Sequence, residues 1–348
     1  FTIDRLTGDP IHVIVDNQKF IFITEIFNSP YLFGRGTRVF IVQSDNDGRY
    51  YILKDSWILA SHNVSEADNI KMINKAAQSA DVDPRLRKLL PQLIACDENA
   101  GSTALNRSLL LGACDNERRR RRLITGPIGD PITSYCSRVE CLQAFIDITD
   151  QLNFMNGRCR LVHSDISMNN IMIVRMLPNI VVPSAVMPSG VESSVLNSDT
   201  VPWDSLKPCD KDGLHHDVPS GGGVIDLDYS HCNTLASMKR SGTLPYMAVN
   251  LLNPEIEGAG VVHRLSHDLE SLCMVLIHIV RFSYGPIGTI KGALNPPTHR
   301  VSQWHHEDDL EVLEDNKKMD LKALVEKPGR FINGYWAPII PHMQKLIK

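Results

Sequence analysis

The sequence contains no apolar run that approaches the roughly 20 residues of a membrane-spanning helix, and no signal-like apolar stretch opens it. We therefore expect no membrane partner. The formal net charge of −4 and the pI near 6.4 give no overall attraction to nucleic acid. The eight cysteines include no C-x-x-C pair, so a zinc or disulfide framework is not expected. Reduced thiols favour a cytoplasmic or nuclear location.

The chain does contain enough apolar side chains for a large core, since 43% of its 348 residues are hydrophobic.

The most informative stretch of the sequence is residues 161–173, where two apolar runs predict short strands on either side of a polar loop. Phosphoryl transfer depends on positioning and charge neutralisation, so a base and a metal-binding amide must project from one rigid turn. Asp165 is the candidate base and Asn170 the candidate Mg²⁺ ligand, with a plain polar turn as the alternative.

Residues 10–58 alternate strand-forming segments with turns and predict an antiparallel meander. Within it, Gly34 and Gly36 let main-chain N–H groups approach an anion closely, although an ordinary hairpin turn uses the same residues. Lys54 ends the strand that returns from this loop. It would either reach the phosphates of a nucleotide or, as a lysine on an edge strand, point into water. Glu66 begins the next predicted helix and is either the ion-pair partner of Lys54 or a dipole-complementing acid.

Two segments before the middle of the chain are polar. Residues 98–107 predict a loop, and five consecutive arginines follow at 118–122. This arginine run would bind an acidic partner or phosphate, or form a solvated strand end, and we favour the strand end. The glycine- and proline-rich residues 126–131 predict the boundary between two lobes.

The second half of the chain predicts two helices and one irregular insertion. Apolar residues recur at helical spacing over 140–155 and 266–280, and Asp268 in the first turn of the later helix is available to bind the backbone of the polar loop. Residues 176–222 are rich in proline and serine and predict a mobile insertion. Asp226 then leaves a buried strand; because a buried acid needs a cation, we interpret it as a second Mg²⁺ ligand, with a structural turn as the alternative.

In chain order these motifs follow the signature set of the eukaryotic protein kinases. The chain resembles the fungal-type protein kinase family in particular, over residues 30–285. The blocks that carry the resemblance are Gly34-Arg35-Gly36-Thr37, Leu53-Lys54-Asp55-Ser56-Trp57, His163-Ser164-Asp165-Ile166-Ser167, Ile225-Asp226-Leu227-Asp228, Gly242-Thr243-Leu244-Pro245-Tyr246-Met247-Ala248 and His267-Asp268-Leu269-Glu270-Ser271. The resemblance implies an α+β, bilobal protein kinase-like fold. A β-rich N-lobe with one main helix would span residues 1–126, and a mostly helical C-lobe residues 127–348.

The same resemblance implies an ATP-dependent protein serine/threonine kinase that uses Mg²⁺ and acts on a protein substrate. Lys54 and Glu66 would form an ion pair, Asp165 would be the catalytic base, and Asn170 and Asp226 would hold the metal. The residues implied to bind the nucleotide are Gly34, Gly36, Thr37, Lys54, Glu66, Thr125, Gly126 and Pro127, the last three beside the adenine.

Four positions depart from the general kinase pattern. Val39 stands where a third loop glycine is expected, and Asp228 replaces the glycine after the metal-binding acid. Ser164 replaces the arginine before the catalytic acid, which removes the cation that a phosphorylated activation segment would pair with. Asn250 replaces a glutamate that buttresses the C-lobe through an ion pair. None of these changes removes a predicted catalytic or metal-binding residue, so we favour an active enzyme.

Two other functions are compatible with these residues. A small-molecule phosphotransferase of the aminoglycoside or choline kinase type tolerates Ser164, but residues 242–248 resemble a peptide-docking loop. A pseudokinase that serves as a nucleotide-binding scaffold would explain the departures at Val39, Ser164 and Asn250.

Overall fold

The computed structural model describes residues 2–3, 8, 10–31, 34–61, 65–104, 117–175, 180–181, 201–202, 219–233, 241–253, 262–286 and 300–347. The chain forms two compact units. The first comprises Phe1–Ala80, Leu90–Ile128 and Met176–Lys207, and the second Asp81–Leu89, Gly129–Arg175 and Pro208–Lys348. The sequence-based division into 1–126 and 127–348 stays a prediction, and Asp81–Leu89 groups with the second unit.

The first unit is built on a seven-stranded antiparallel sheet with strand order β1-β2-β3-β4-β5-β7-β6. The predicted meander over residues 10–58 is confirmed. The predicted loop over 98–107 is wrong at its start, because the sixth strand continues to Ser102. The strands are β1 (Thr2–Ile3), β2 (Pro10–Val15), β3 (Gln18–Asn28), β4 (Arg38–Ser44), β5 (Tyr50–Leu59), β6 (Gln92–Ser102) and β7 (Arg118–Gly126).

Alternating apolar residues on β2 to β7 form the core of this sheet. The buried set is Val13, Val15, Phe20, Phe22, Phe40, Val42, Leu53, Ala95 and Ile124. Helix α1 (Glu66–Ala77) also has a buried apolar face, which includes Ile70 and Ile73. Its N-cap is Ser65, whose side chain accepts a hydrogen bond from the main-chain N–H of Asp68, as the predicted helix start requires.

The arginine run begins β7, so the predicted strand end is confirmed, but the run is not fully solvated, because Arg121 and Arg122 are buried. Asp55 is 2% exposed, and it binds the guanidinium of Arg120 through both of its oxygens, at 2.9 and 2.6 Å. Arg120 also lies over the ring of Trp57, and Arg121 is fully buried. The predicted solvation was wrong for Arg121 and Arg122 because acids on neighbouring elements pair with them, and local sequence does not reveal those partners.

The second unit is mostly helical, with short strands that carry the polar loop. Its helices are α2 (Pro84–Leu89), α3 (Arg138–Cys159), α4 (Leu265–Phe282), α5 (Arg300–Gln303), α6 (Leu310–Glu326) and α7 (Ile340–Ile347). Its strands are β8 (Asp130–Pro131), β9 (Leu161–Val162), β10 (Ile171–Arg175), β13 (Ser220–Val224) and β14 (His231–Cys232). The two long helices predicted from periodicity are confirmed as α3 and α4. No helix among the described residues is long and apolar enough to cross a membrane.

The end of the predicted insertion is a structured strand. Strand β13 pairs antiparallel with β10, so that Gly222 lies opposite Ile173. A Cβ atom on Gly222 would lie 2.0 Å from the carbonyl oxygen of Ala144 on α3, which means that only glycine allows this close approach. The predicted insertion boundary at residue 222 is therefore wrong. Most of residues 176–218 lie outside the described residues; the short strands β11 (Ile180–Val181) and β12 (Val201–Pro202) pair in parallel.

Candidate active site

In the first unit, Lys54 and Glu66 form the predicted ion pair. The ammonium of Lys54 on β5 lies 2.9 Å from Oε2 of Glu66, the first residue of α1. The fully buried Arg121 donates to the same oxygen at 3.1 Å. Two cations therefore converge on a carboxylate that is itself buried. The sequence analysis missed Arg121; strand alternation, which sets it on the opposite face of β7 from Arg120 and Arg122, is the signal that points to it.

The glycine loop lies between β3 and β4, where the meander predicts it. Gly34 and Gly36 have φ values of +127° and +50°, a backbone region that strains other residues. The main-chain N–H of Trp57 on β5 donates to the carbonyl of Arg35 at 2.7 Å, and the carbonyl of Thr37 accepts from Ser29. These bonds hold the described part of the loop against the sheet.

Three further residues predicted to bind the nucleotide lie at or just beyond the end of β7. Thr125 and Gly126 are its last two residues, and Pro127 follows. The ring of Tyr51 lies 3.5 Å from the position that a Cβ on Gly126 would occupy. This is an ordinary van der Waals distance, so Tyr51 leaves room for a Cβ there. Their predicted contact with adenine stays a prediction.

In the second unit, a buried carboxylate fixes the backbone of the polar loop between β9 and β10. Asp268, in the first turn of α4, is 3% exposed. Its two oxygens accept hydrogen bonds from the main-chain N–H groups of His163 at 2.7 Å and Ser164 at 2.9 Å. The predicted bond from this acid to the loop backbone is confirmed. Ser164 has a φ of +67°, a conformation that these bonds hold in place.

Asp165 is the acid that this loop presents, and its carboxylate is held from two sides. The amide of Asn170 donates to Oδ2 of Asp165 at 3.0 Å and also to its main-chain carbonyl at 2.8 Å. The hydroxyl of Thr243 donates to Oδ1 at 2.8 Å. An alcohol therefore already contacts the carboxylate in the geometry that general-base catalysis needs.

Burial dominates the electrostatics of these acids. It raises the pKa of Asp165, and the negative charge of Asp226 acts in the same direction, while the hydrogen bond from Thr243 and the nearby His163 oppose the shift. Complete burial likewise raises the pKa of Asp268, against the two main-chain N–H groups that favour its ionised form. Asp165 is thus a stronger base than an exposed aspartate.

Asp226 follows β13 and is tied to the same loop through its neighbour Ile225. The main-chain N–H of Ile225 donates to the carbonyl of Asn170 at 3.0 Å, and Nε2 of His163 lies 3.0 Å from the carbonyl of Ile225. The NH₂ group of Asn170 donates to Asp165, so the amide oxygen of Asn170, Oδ1, is the atom suited to bind a cation. One carboxylate and one amide oxygen are the hard oxygen donors that Mg²⁺ prefers, so the donor set fits this metal.

A small pocket adjoins Asp165 within the second unit. It has a volume of about 10 Å³ and is lined by residues of the polar loop, the 241–243 segment and the start of α4. This is about the space of one water molecule. The pocket therefore lies beside both the hydroxyl of Thr243 and the loop that carries Asp165.

The α+β architecture, with a β-rich first unit and a mostly helical second unit, is that of the protein kinase-like phosphotransferases. The sequence profile described as fungal protein kinase matches residues 2–280, and the chain belongs to this family. The curated proteins contain no significant sequence match to it.

Two solved structures illustrate the structural similarity. The Cydia pomonella granulovirus kinase PK-1 is 11% identical, with 75% of this chain and 70% of that chain covered and a TM-score of 0.42. The kinase domain of PF14_0431 is 15% identical, with 97% and 86% covered and a TM-score of 0.43.

Proposed function

We propose that this family member is a protein serine/threonine kinase that transfers the γ-phosphoryl group of Mg²⁺-ATP to a hydroxyl. The observation that carries the proposal is the hydrogen bond from the Thr243 hydroxyl to Asp165. A substrate serine or threonine would make the same contact before transfer. The buried Asp268 supports this role, because it keeps the Asp165 loop rigid in the absence of substrate.

In the proposed reaction, the substrate hydroxyl donates its proton to the carboxylate of Asp165. Its oxygen forms a bond to the γ-phosphorus, the bond from that phosphorus to the β,γ-bridging oxygen breaks, and ADP leaves. When bound, Mg²⁺ neutralises charge on the phosphate oxygens. Asn170 and Asp226 are the residues that would hold it.

The first unit would bind the nucleotide. Lys54 would neutralise phosphate charge, and Glu66 would fix the direction of its ammonium. Arg121 adds a second cation to Glu66, which holds that carboxylate in place. Thr125, Gly126 and Pro127 would adjoin the adenine, and Gly34, Gly36 and Thr37 the phosphates.

The experiment that tests the function is transfer of radiolabelled phosphoryl from ATP to two acceptor classes, a generic protein substrate and amino alcohols. We expect label on serine and threonine of the protein, dependent on Mg²⁺ and abolished by EDTA. Label on the amino alcohol alone would instead assign a small-molecule phosphotransferase. Nucleotide binding without any transfer would assign a scaffold and contradict the proposal.

A further inference from the structure

One lysine of the second unit is completely buried. Lys317 lies on α6 and has no exposed surface. Its ammonium donates to the main-chain carbonyls of Leu244 at 2.9 Å and Met247 at 2.7 Å. It also lies 5.7 Å from the centre of the Trp304 ring, a distance suited to a cation–π contact.

Burying a lysine ammonium lowers the stability of the fold unless its hydrogen bonds compensate. Burial lowers the pKa of Lys317 to about 7, and the charge of Glu270 on α4 acts in the opposite direction. The next residue, Lys318, is exposed and pairs with Glu314 one turn earlier at 2.7 Å. A methionine at 317 would fill the same volume without this desolvation cost. The polar contacts of the ammonium are therefore its distinguishing feature.

Those contacts fall on the segment that carries Thr243. Leu244–Tyr246 forms a single turn of 3₁₀-helix directly after Thr243. On the far side of that turn, the main-chain N–H of Val249 donates to Oε1 of Glu270 at 2.8 Å. Asn250, which replaces the buttressing glutamate of the general kinase pattern, is exposed. Lys317 and Glu270 thus both hold this segment.

We propose that Lys317 is a positioning residue for the phosphoacceptor: it fixes the carbonyls of Leu244 and Met247, and through them the contact between Thr243 and Asp165. Glu270 is the second tether of the same segment. Residue 317 lies outside the matched part of the family profile, which ends at residue 280. The inference rests on the proposed kinase function, because its effect on acceptor binding requires a transferred phosphoryl group.

The kinetic test compares Lys317→Met with the matched control Lys318→Met in the full chain, with a generic protein acceptor. Losing the donor to two buried carbonyls is expected to raise KM for the protein acceptor about tenfold or more. KM for ATP is expected to stay at the wild-type level, because nucleotide binding does not use the acceptor segment. Lys317→Arg, which keeps a cation, should recover part of the acceptor affinity.

An equal change in KM for acceptor and for ATP, or no change in either, would show that Lys317 only packs. If Lys317→Met does not fold, Glu270→Leu provides the same test from the other tether, with Glu270→Gln as its oxygen-retaining control. A rise in acceptor KM confined to Glu270→Leu supports the proposal, and an unchanged acceptor KM overturns it.

Hydrogen exchange separates failure of this inference from failure of the proposed function. In the protein without substrates, Lys317→Met should increase exchange of the amides of Tyr246, Met247 and Val249 about tenfold. In the same variant, amides within α4 should exchange as in the wild type. In Lys318→Met, all of these amides should exchange as in the wild type. If the wild type transfers no phosphoryl group, the kinase proposal fails, yet unchanged protection of these three amides would still refute the positioning role.

Discussion

At the scale of single residues, Asp165 shows how burial sets chemistry. Its carboxylate lies among groups that act in opposite directions: burial and Asp226 raise its pKa, and the hydroxyl of Thr243 lowers it. In the proposed role as base, Asp165 must be ionised, so we expect activity to be lost as the pH falls through this raised pKa. The acid limb therefore lies above the ordinary aspartate value of about 3.9.

Thr243→Val removes the hydrogen bond and keeps the side-chain shape. Because that bond favours the ionised carboxylate, the pKa of Asp165 should rise further and the acid limb should move to higher pH. The measurement is kcat/KM for the protein acceptor against pH, which reports groups of the free enzyme. Thr149→Val, which changes a hydroxyl bound to a carbonyl within α3, is the control. An acid limb that stays in place or moves to lower pH would exclude Asp165 as the base.

Glu66 gives a second prediction at this scale, since its carboxylate receives both Lys54 and the buried Arg121. Glu66→Ala leaves these cations without that carboxylate, and we expect a loss of about 3–5 kcal/mol in the free energy of unfolding. Asp68→Ala, in the same first turn of α1, removes an exposed pair with Lys71 and should cost less than about 1 kcal/mol. Urea unfolding of both variants measures the difference. Equal losses would mean that burial adds nothing to this ion pair.

At the scale of elements, strand β13 depends on a glycine that no side chain can replace. Gly222 lies against the carbonyl of Ala144, so Gly222→Ala should cost about 3 kcal/mol or more in the free energy of unfolding. Gly157→Ala is the matched control, because a Cβ at Gly157 on α3 meets nothing within 4 Å and removes backbone freedom. That variant should gain about 0.5–1 kcal/mol.

Thermal unfolding of the two glycine variants provides the measurement. A Gly222→Ala variant with wild-type stability would show that α3 and β13 do not approach as closely as described. A destabilised Gly157→Ala would show that the helix backbone there is not helical in solution.

Local patterns predicted most elements because their periodicities are strong. The strands of the meander alternate, and α1, α3 and α4 each keep an apolar face. Two of the errors share a physical cause. Three glycines before Val224 have low strand propensity and were assigned to the insertion, and five arginines from residue 118 carry charge and were assigned to solvent. Contacts distant in sequence, to Ala144 in one case and to Asp55 and Glu66 in the other, override that propensity.

At the scale of the whole molecule, the order of motifs predicted which side chains lie together better than any single motif. Asp165, Asn170 and Asp268 lie together around one loop, and Lys54 pairs with Glu66, as their spacing in the kinase pattern implies. Residues outside such blocks carry no motif that predicts their roles. Strand alternation separates Arg121 from Arg120 and Arg122 but does not reveal its partner Glu66, and the local sequence does not distinguish the buried Lys317 from the exposed Lys318.

The central claim is that a loop held by Asp268 presents Asp165 as the base of phosphoryl transfer. Its most direct test is Asp165→Asn, measured for Mg²⁺-ATP binding by calorimetry and for transfer of radiolabelled phosphoryl to a protein acceptor. For Asp165→Asn we expect a nucleotide affinity near that of the wild type and a rate of transfer reduced by at least about 100-fold. Transfer at the wild-type rate, or a loss of nucleotide binding that accounts for the lost activity, would contradict it.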